Sequence, residues 1–487
     1  MIKNAATDIK KVLFEKAIAA VPDYQEFLTV DELNASSRRL AEEYPAVVKY
    51  EEAGQTRAGD PIPLLTIGDG HHSALLFGCP HPNEPIGAMM LEFLSWELAE
   101  NDALREELDF TWHIIKVADP DSTRLNEGWF KGPFTPTNYA RHYYRPPGEQ
   151  QVEWTFPIKY KKLDFQSPMP ETEALMRIID RTKPLFLYSL HNAGFGGVYF
   201  YLSEAAAPMY DLLHSLPRDR DLPLNLGEPE MPYAKTFAPA IYWMPESEQI
   251  YDYYEEYSDK DPLTLMPVGT SSYDYSRRVA DTFCMACEMP YFYDSRVADT
   301  SKTQVTRREA LMENIAASYD RQEFLYDMWD RVEPLLSRDT PFSDFMRFMA
   351  SFMRGNLEAK DNWVRSADGL DQHATVAQLF DNRELPAFYN LLTVGTFIRM
   401  VEAELAYRGH EEERTAEPSE PITDTDSESL RQLLELRSKL MAYFDEHSQA
   451  TEESFDYKVI PIQKLVQVQF GSALYMMDFA QRKHSDS

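Results

Sequence analysis

Along the first three hundred residues, short apolar runs alternate with stretches whose apolar residues recur every three or four positions. "VVKYEEAG", "IPLLTIG", "SALLFG" and "FTWHIIKVADP" read as strands, each apolar and bounded by turn-forming residues. Between the last two, Pro85 opens a helical stretch with Ile86, Met89, Met90, Phe93 and Leu94 on one face. An earlier helix begins near Thr29. There "LTVDEL" offers a capping box of Thr29 and Glu32 with Leu28 and Leu33 as a hydrophobic staple, and the helix stops at "EYP". Further on, "PETEALMRIIDRTKP" predicts a helix with Leu175, Ile178 and Ile179 facing a core, feeding the strand "LFLYSLHN". Strand-like runs recur at "GGVYFYLS" and "FCMACEMPYFY". Near-continuous apolar strands alternating with helices predict an α/β fold, a mixed twisted sheet covered by helices on both faces.

After about Asp299 the pattern changes to long helical periods such as "RREALMENIAASYDRQEFLYDMWDRV" and "PAFYNLLTVGTFIRMVEAELAYR", with no strand expected. This predicts a sheet-containing domain over 1–299 and an all-helical C-terminal domain over 300–487. Within the latter, "HEEERTAEPSEPITDTDSES" reads as an exposed acidic loop near 410–429. The last stretch, "VIPIQKLVQVQFGSALYMMDFAQRK", is apolar enough to be a packed helix. Either a roof over a functional site or a homo-oligomeric interface fits the helical part.

Composition narrows the function. With 80 acidic against 48 basic residues, the net charge of −32 repels phosphate backbones and anionic membrane faces, which sets the chain against nucleic-acid and membrane partners. Three cysteines, Cys79, Cys284 and Cys287, make no disulfide framework, and the first residues contain no secretory h-region; a cytoplasmic location is expected.

The chemistry-bearing stretch is "FGCPHPNEPIGAMM", where a strand runs into a helix through His81 and Glu84. Catalytic zinc takes three ligands from His, Glu, Asp or Cys and keeps one position open. His81 and Glu84, three apart across a turn, can face one ion. His191 lies at the end of another strand, and in α/β sheets ligands bind at the carboxyl ends of strands. The competing reading of the short pair is a polar turn with Glu84 favoured by the helix dipole. "CMAC" lacks the second pair of thiolates that a four-cysteine zinc site needs, "HNAGFGG" is a turn, and His71 and His72 read as exposed turn residues. Neither a Gly-x-Ser-x-Gly nor a P-loop signature occurs.

In order along about 270 residues, five segments resemble the M14-type zinc carboxypeptidases. They are "TVDELNASSRRLAEEYPAVVKYEEAGQTRAGDPIPLLTIG", "HPNEPIG", "ADPDSTRLNEGW", "PETEALMRII" with "YSLHN", and "SYDYSRRVADTFCMACEMPY". The resemblance implies one zinc per chain held by His81, Glu84 and His191, Glu288 as general base, and Arg124 stabilising the oxyanion. It further implies that Arg141 grips the substrate carboxylate, with Asn138 or His142 replacing the asparagine that the family commonly has where Ala140 stands. Arg145 is a rival for this role. Tyr273 would line the side-chain pocket. "DPDS" stands for the family's Asn-Pro-Asp-Gly, and no tyrosine falls where the family's mobile one is expected, leaving Tyr251, Tyr253, Tyr254 and Tyr257 as stand-ins.

The reading that follows is a metallocarboxypeptidase acting on the C-terminal amide bond of a peptide or peptide-like substrate. Two alternatives stand beside it. "HPNE" also matches the motif of zinc deacylases of the succinylglutamate desuccinylase and aspartoacylase type, and a non-catalytic zinc-binding interaction module would use the helical part alone.

Overall fold

Nine strands hydrogen-bond into one mixed sheet: β1 Val48–Gln55, β2 Pro61–Ile67, β3 His72–Phe77, β4 Phe110–Ile115, β5 Phe186–His191, β6 Tyr199–Leu202, β7 Thr236–Ala238, β8 Ile241–Trp243 and β9 Phe283–Glu288. They lie in the order β1-β2-β4-β3-β5-β9-β6-β8-β7. The central run β4-β3-β5-β9 is parallel; β1-β2, β2-β4, β9-β6 and β8-β7 are antiparallel, and β6-β8 is parallel. This is a computed structural model; it describes residues 2–414 and 424–485, with side chains described for all of these except 2–8, 410–414 and 424–426.

The helices form where sequence and capping agree. α1 is Ile2–Ala19 and α2 is Val30–Glu43. Thr29 Oγ1 accepts from the Glu32 amide at 3.2 Å while Glu32 Oε2 accepts from the Thr29 amide at 2.7 Å, so the capping box is complete. α3, Ile86–Glu100, follows the cap residue Pro85, and its first turn crosses β5 closely: a Cβ on Gly87 would lie 2.5 Å from the Leu190 Cβ. α4, Pro170–Thr182, and α5, Ser272–Val279, pack together on one face of the sheet. On the opposite face α3 packs against β5 and against the final helix.

Beyond residue 300 come α6 Arg307–Val332, α7 Pro341–Ser366, α8 Leu385–Arg414, α9 Asp424–Ser454 and α10 Ile462–Ser485. The all-helical expectation is corrected in one respect. The β-branched run Lys302–Thr306 pairs with His373–Thr375, and Lys458–Val459 pairs with Phe292–Tyr293. Nor do the two parts pack as separate cores: α10 lies against α1, α3 and β5, and Phe195 and Phe292 share one apolar cluster with Phe380, Phe388 and Phe455. The expected acidic loop is also shorter than read. Residues 410–414, with three glutamates and an arginine, end α8 and 424–429 begin α9, while 415–423 lie outside the described residues. Among the described residues no helix is long and apolar enough to cross a membrane.

Candidate active site

β3 and β5 are adjacent and parallel, so the loop after β3 and the end of β5 open at the same edge of the sheet. His81 and Glu84 come from that loop, which Cys79 enters with a positive φ of 46°. Several bonds tie the loop to the end of β5. Asn192 Oδ1 accepts from the Ile86 amide at 3.0 Å, and the Tyr291 hydroxyl donates to the Asn83 carbonyl at 2.7 Å. Glu84 Oε2 accepts from the Asn192 amide at 3.2 Å. His191 is thereby brought against Glu84.

The three side chains converge. His81 Nδ1 is 3.1 Å from Glu84 Oε1, His191 Nδ1 is 3.1 Å from Glu84 Oε2, and the two Nδ1 atoms are 3.2 Å apart. Two ligand bonds of roughly 2.0–2.1 Å meeting at a tetrahedral angle place their donor atoms about 3.3 Å apart. The trio therefore has the spacing of a zinc ligand set with room for one ion, and its three members are all buried. Ser189 Oγ holds the other ring nitrogen of His191 at 2.8 Å, fixing that ring.

The protonation pattern follows from the crowding. Burial, helped by the nearby Arg145 cation, pushes His81 down to about 3. Burial also opposes charge on His191, but the hydrogen bond and charge of Glu84, with Glu288 and Glu153 behind it, outweigh burial and raise His191 to about 9. Glu84 is held well below the usual carboxylate range; burial opposes its charge, but the two histidines outweigh it.

A cavity of about 530 Å³ opens over the trio and is lined also by Arg145, Glu153, Glu230, Tyr201 and Glu288. Glu288 ends β9 directly beside His191, its register partner on β5. Burial, reinforced by the charge of Glu230, holds the Glu288 carboxyl well above the usual range. Tyr389 and Leu392, both on α8, complete the wall, so the helical part roofs the site.

Other sequence-predicted residues lie elsewhere. Arg124 donates to Asp60 at 2.7 Å and to Asp31 at 3.0 Å, and these carboxylates keep it outside the cavity. Arg141 is drawn to Glu402 on α8, at 2.6 Å. Asn138 donates to the Pro133 carbonyl, and Tyr273 is buried in the core with its hydroxyl on Glu246 at 3.2 Å. Tyr251, Tyr253, Tyr254 and Tyr257 form a separate cluster away from the cavity. Cys284 and Cys287 are buried and free, and His71 is engaged by Asp109 at 2.9 Å. In place of Arg124 and Arg141, the guanidinium that faces the cavity is that of Arg145, 3.5 Å from Glu84. Sequence reasoning missed Glu230, Glu153 and Tyr389. Glu230 carries no local signal, because it is positioned by the hydroxyls of Tyr199 and Tyr201, which donate to it at 2.5 and 2.9 Å.

The chain is similar to several known proteins. Among solved structures, carboxypeptidase A from Helicoverpa armigera is 14% identical, covering 59% of this chain and 72% of its own, with a TM-score of 0.37. A metallo-carboxypeptidase from Burkholderia cenocepacia is 16% identical over 54% of this chain and 60% of its own, with a TM-score of 0.31. Bovine thrombin-activatable fibrinolysis inhibitor, solved with tick carboxypeptidase inhibitor, is 12% identical over 54% of this chain and 86% of its own, with a TM-score of 0.33. The family model of the zinc carboxypeptidases matches residues 33–302, a stretch that contains β1 to β9 and every member of the trio. On that match the chain belongs to the M14 zinc carboxypeptidase family and is a zinc metallopeptidase.

Proposed function

We propose that this protein is a metallocarboxypeptidase that hydrolyses the C-terminal amide bond of a peptide, with His81, Glu84 and His191 holding one zinc ion. The observation that carries this reading is the placement of Glu288 beside His191 in a cavity that also presents Arg145. When bound, zinc supplies Lewis-acid polarisation of the scissile carbonyl and lowers the pKa of water towards about 7. Glu288 takes the proton of the attacking water and returns it to the departing amine nitrogen; a carboxyl whose proton affinity is raised by burial suits both halves of that task. Arg145 pairs with the terminal carboxylate of the substrate, the role expected for Arg141, because a guanidinium fork facing the cavity binds a carboxylate with two parallel hydrogen bonds. Tyr389 and Leu392 cover the cavity from the helical part and limit solvent at the reacting bond. The buried, free thiols of Cys79, Cys284 and Cys287 suit a reducing compartment, which supports a cytoplasmic location.

The test is a measurement of zinc per chain followed by assay of matched peptides with free and amidated C-termini, alongside N-acyl amino acids. Release of the last residue from free-ended peptides only is expected. Turnover restricted to N-acyl amino acids overturns the peptide reading in favour of a deacylase, and bound zinc with no turnover on any substrate overturns both.

A further inference from the structure

A second cavity of about 530 Å³ adjoins the first, with Ala193, Glu230 and Tyr389 lining both. Its remaining walls come largely from the helical part, including Arg321 on α6 and Lys360 on α7. The chain carries a net charge of −32, and two other cations drawn out of water meet carboxylates: Lys116 meets Glu92 at 2.6 Å and Arg307 meets Glu228 at 2.5 Å. Lys360 is different. It is half-buried, and among the described residues its ammonium has neither a hydrogen-bond partner nor a carboxylate within ion-pair distance. Arg321 spends one donor on Ser318 Oγ, at 3.0 Å, and faces no carboxylate within ion-pair distance among the described residues. A cation drawn partly out of water at a cavity wall favours a partner of opposite charge.

Each carboxylate of this cavity has a hydrogen-bond partner, with Asp381 Oδ1 the oxygen left buried without one. Glu228 is gripped by the Arg307 guanidinium, Glu230 accepts two tyrosine hydroxyls, and Asp381 accepts the Glu228 amide at 2.7 Å. Two cations are therefore left with unused donors at the wall of a cavity that shares lining residues with the one over the trio. A carboxypeptidase leaves only one residue on the departing side of the bond, so a substrate that reaches a second cavity reaches it with its upstream residues.

We propose that the second cavity binds an acidic side chain of the peptide upstream of the scissile bond, with Lys360 and Arg321 as its cationic partners. The proposal rests on the carboxypeptidase reading for the direction of the peptide and on the unmatched cations for its chemistry. It makes the helical part a specificity element that selects glutamate-bearing or aspartate-bearing peptides, overcoming locally the repulsion of an acidic protein.

The test uses the full chain loaded with zinc and a set of fluorescein-labelled peptides alike in their C-terminal residue, with one glutamate moved through successive upstream positions and glutamine controls. Fluorescence anisotropy reads binding whether or not the peptide is cleaved. One glutamate position is expected to bind about tenfold more tightly than its glutamine control. Lys360→Met removes that preference and Lys360→Arg restores most of it; thermal unfolding confirms that the variants fold. Where the peptides are turned over, the ratio of kcat/KM for the glutamate and glutamine members follows the same pattern. Equal binding of glutamate and glutamine peptides at every position overturns the proposal, as does a preference that survives in both Lys360→Met and Arg321→Met. A preference that depends on Lys360 without any hydrolysis upholds the subsite and overturns the carboxypeptidase reading alone.

Discussion

Glu288 and His191 are register partners at the carboxyl ends of two adjacent parallel strands, β9 and β5. Paired residues on neighbouring strands project to the same face, so the sheet ladder itself sets the carboxylate beside the metal trio. Glu288→Gln keeps the side chain's size and removes its basicity. It is expected to lower kcat by about 10²–10⁴-fold while zinc still binds at one ion per chain. Zinc content and peptide hydrolysis measured on the same preparation check this; a variant that keeps more than a tenth of wild-type kcat would show that Glu288 is not the base.

Zinc should also stabilise the fold. The trio is completed only in the folded chain, which brings His191 against the distant pair His81 and Glu84, so an ion binds the native state far better than the unfolded one. At a free zinc concentration a hundredfold above its dissociation constant, the gain is about 3 kcal/mol. Scanning calorimetry of chelated and reloaded protein should show a higher unfolding midpoint with zinc. His191→Ala should abolish that increment, and an increment that persists would mean the ion binds elsewhere.

The arginines divide by what already holds them. Arg145 faces the cavity, whereas Arg124 is committed to Asp31 and Asp60 and Arg141 to Glu402. Arg145→Met should lower kcat/KM on free-ended peptides by roughly 10²-fold or more and erase the preference over amidated ones. Arg124→Met and Arg141→Met should leave that preference in place. If the Arg141 variant loses it instead, the carboxylate partner is the one expected from sequence.

The last helix reaches the site through one residue. Gln469 Nε2, fully buried, donates to the His191 carbonyl at 3.0 Å and lies 3.3 Å from that of Cys287, capping the ends of both β5 and β9. Gln469→Leu leaves these carbonyls without that donor and should cost about 1–3 kcal/mol of stability. Urea unfolding followed by circular dichroism reads this directly; unchanged stability would show that the contact carries no weight.

What was legible in the sequence was local. The Thr29 capping box, the four leading strands, and the His81–Glu84 turn between a strand and a helix are written within a few residues of each other, where spacing and propensity act. The arginines were not legible for a long-range reason. "NYARHYYRPP" offers Arg141 and Arg145 four positions apart, and the choice between them is made by Glu402, more than two hundred residues away on α8. Glu230 and Lys360 belong to the same class: each owes its place to helices or strands distant in sequence, so no short pattern marks it. The boundary near residue 299 marks a real change of pattern, yet α10 returns to cover the sheet, because an amphipathic pattern says which face is apolar and not what it packs against.

Asp119 supplies a pH-dependent test. Its side chain caps the short helix Pro120–Arg124 by accepting from the Ser122 amide at 3.1 Å, but Oδ2 is buried without a partner. Burial, only partly offset by Arg57, raises its carboxyl from 3.8 to about 6. A carboxyl raised on folding favours the folded state fully below the unfolded value near 3.8, and that benefit is lost as the pH climbs through about 6. Above it, the ionised group costs about 3 kcal/mol relative to a neutral one. Asp119→Asn keeps the capping oxygen and removes the charge, restoring the asparagine of the family's Asn-Pro-Asp-Gly. The variant should therefore be more stable than wild type at pH 7.5, with the advantage shrinking as the pH is lowered from 6 to 4. Paired urea titrations at these pH values measure the difference. A gap that stays constant with pH, or a variant less stable at pH 7.5, would show that Asp119 is ionised at no net cost in the folded chain.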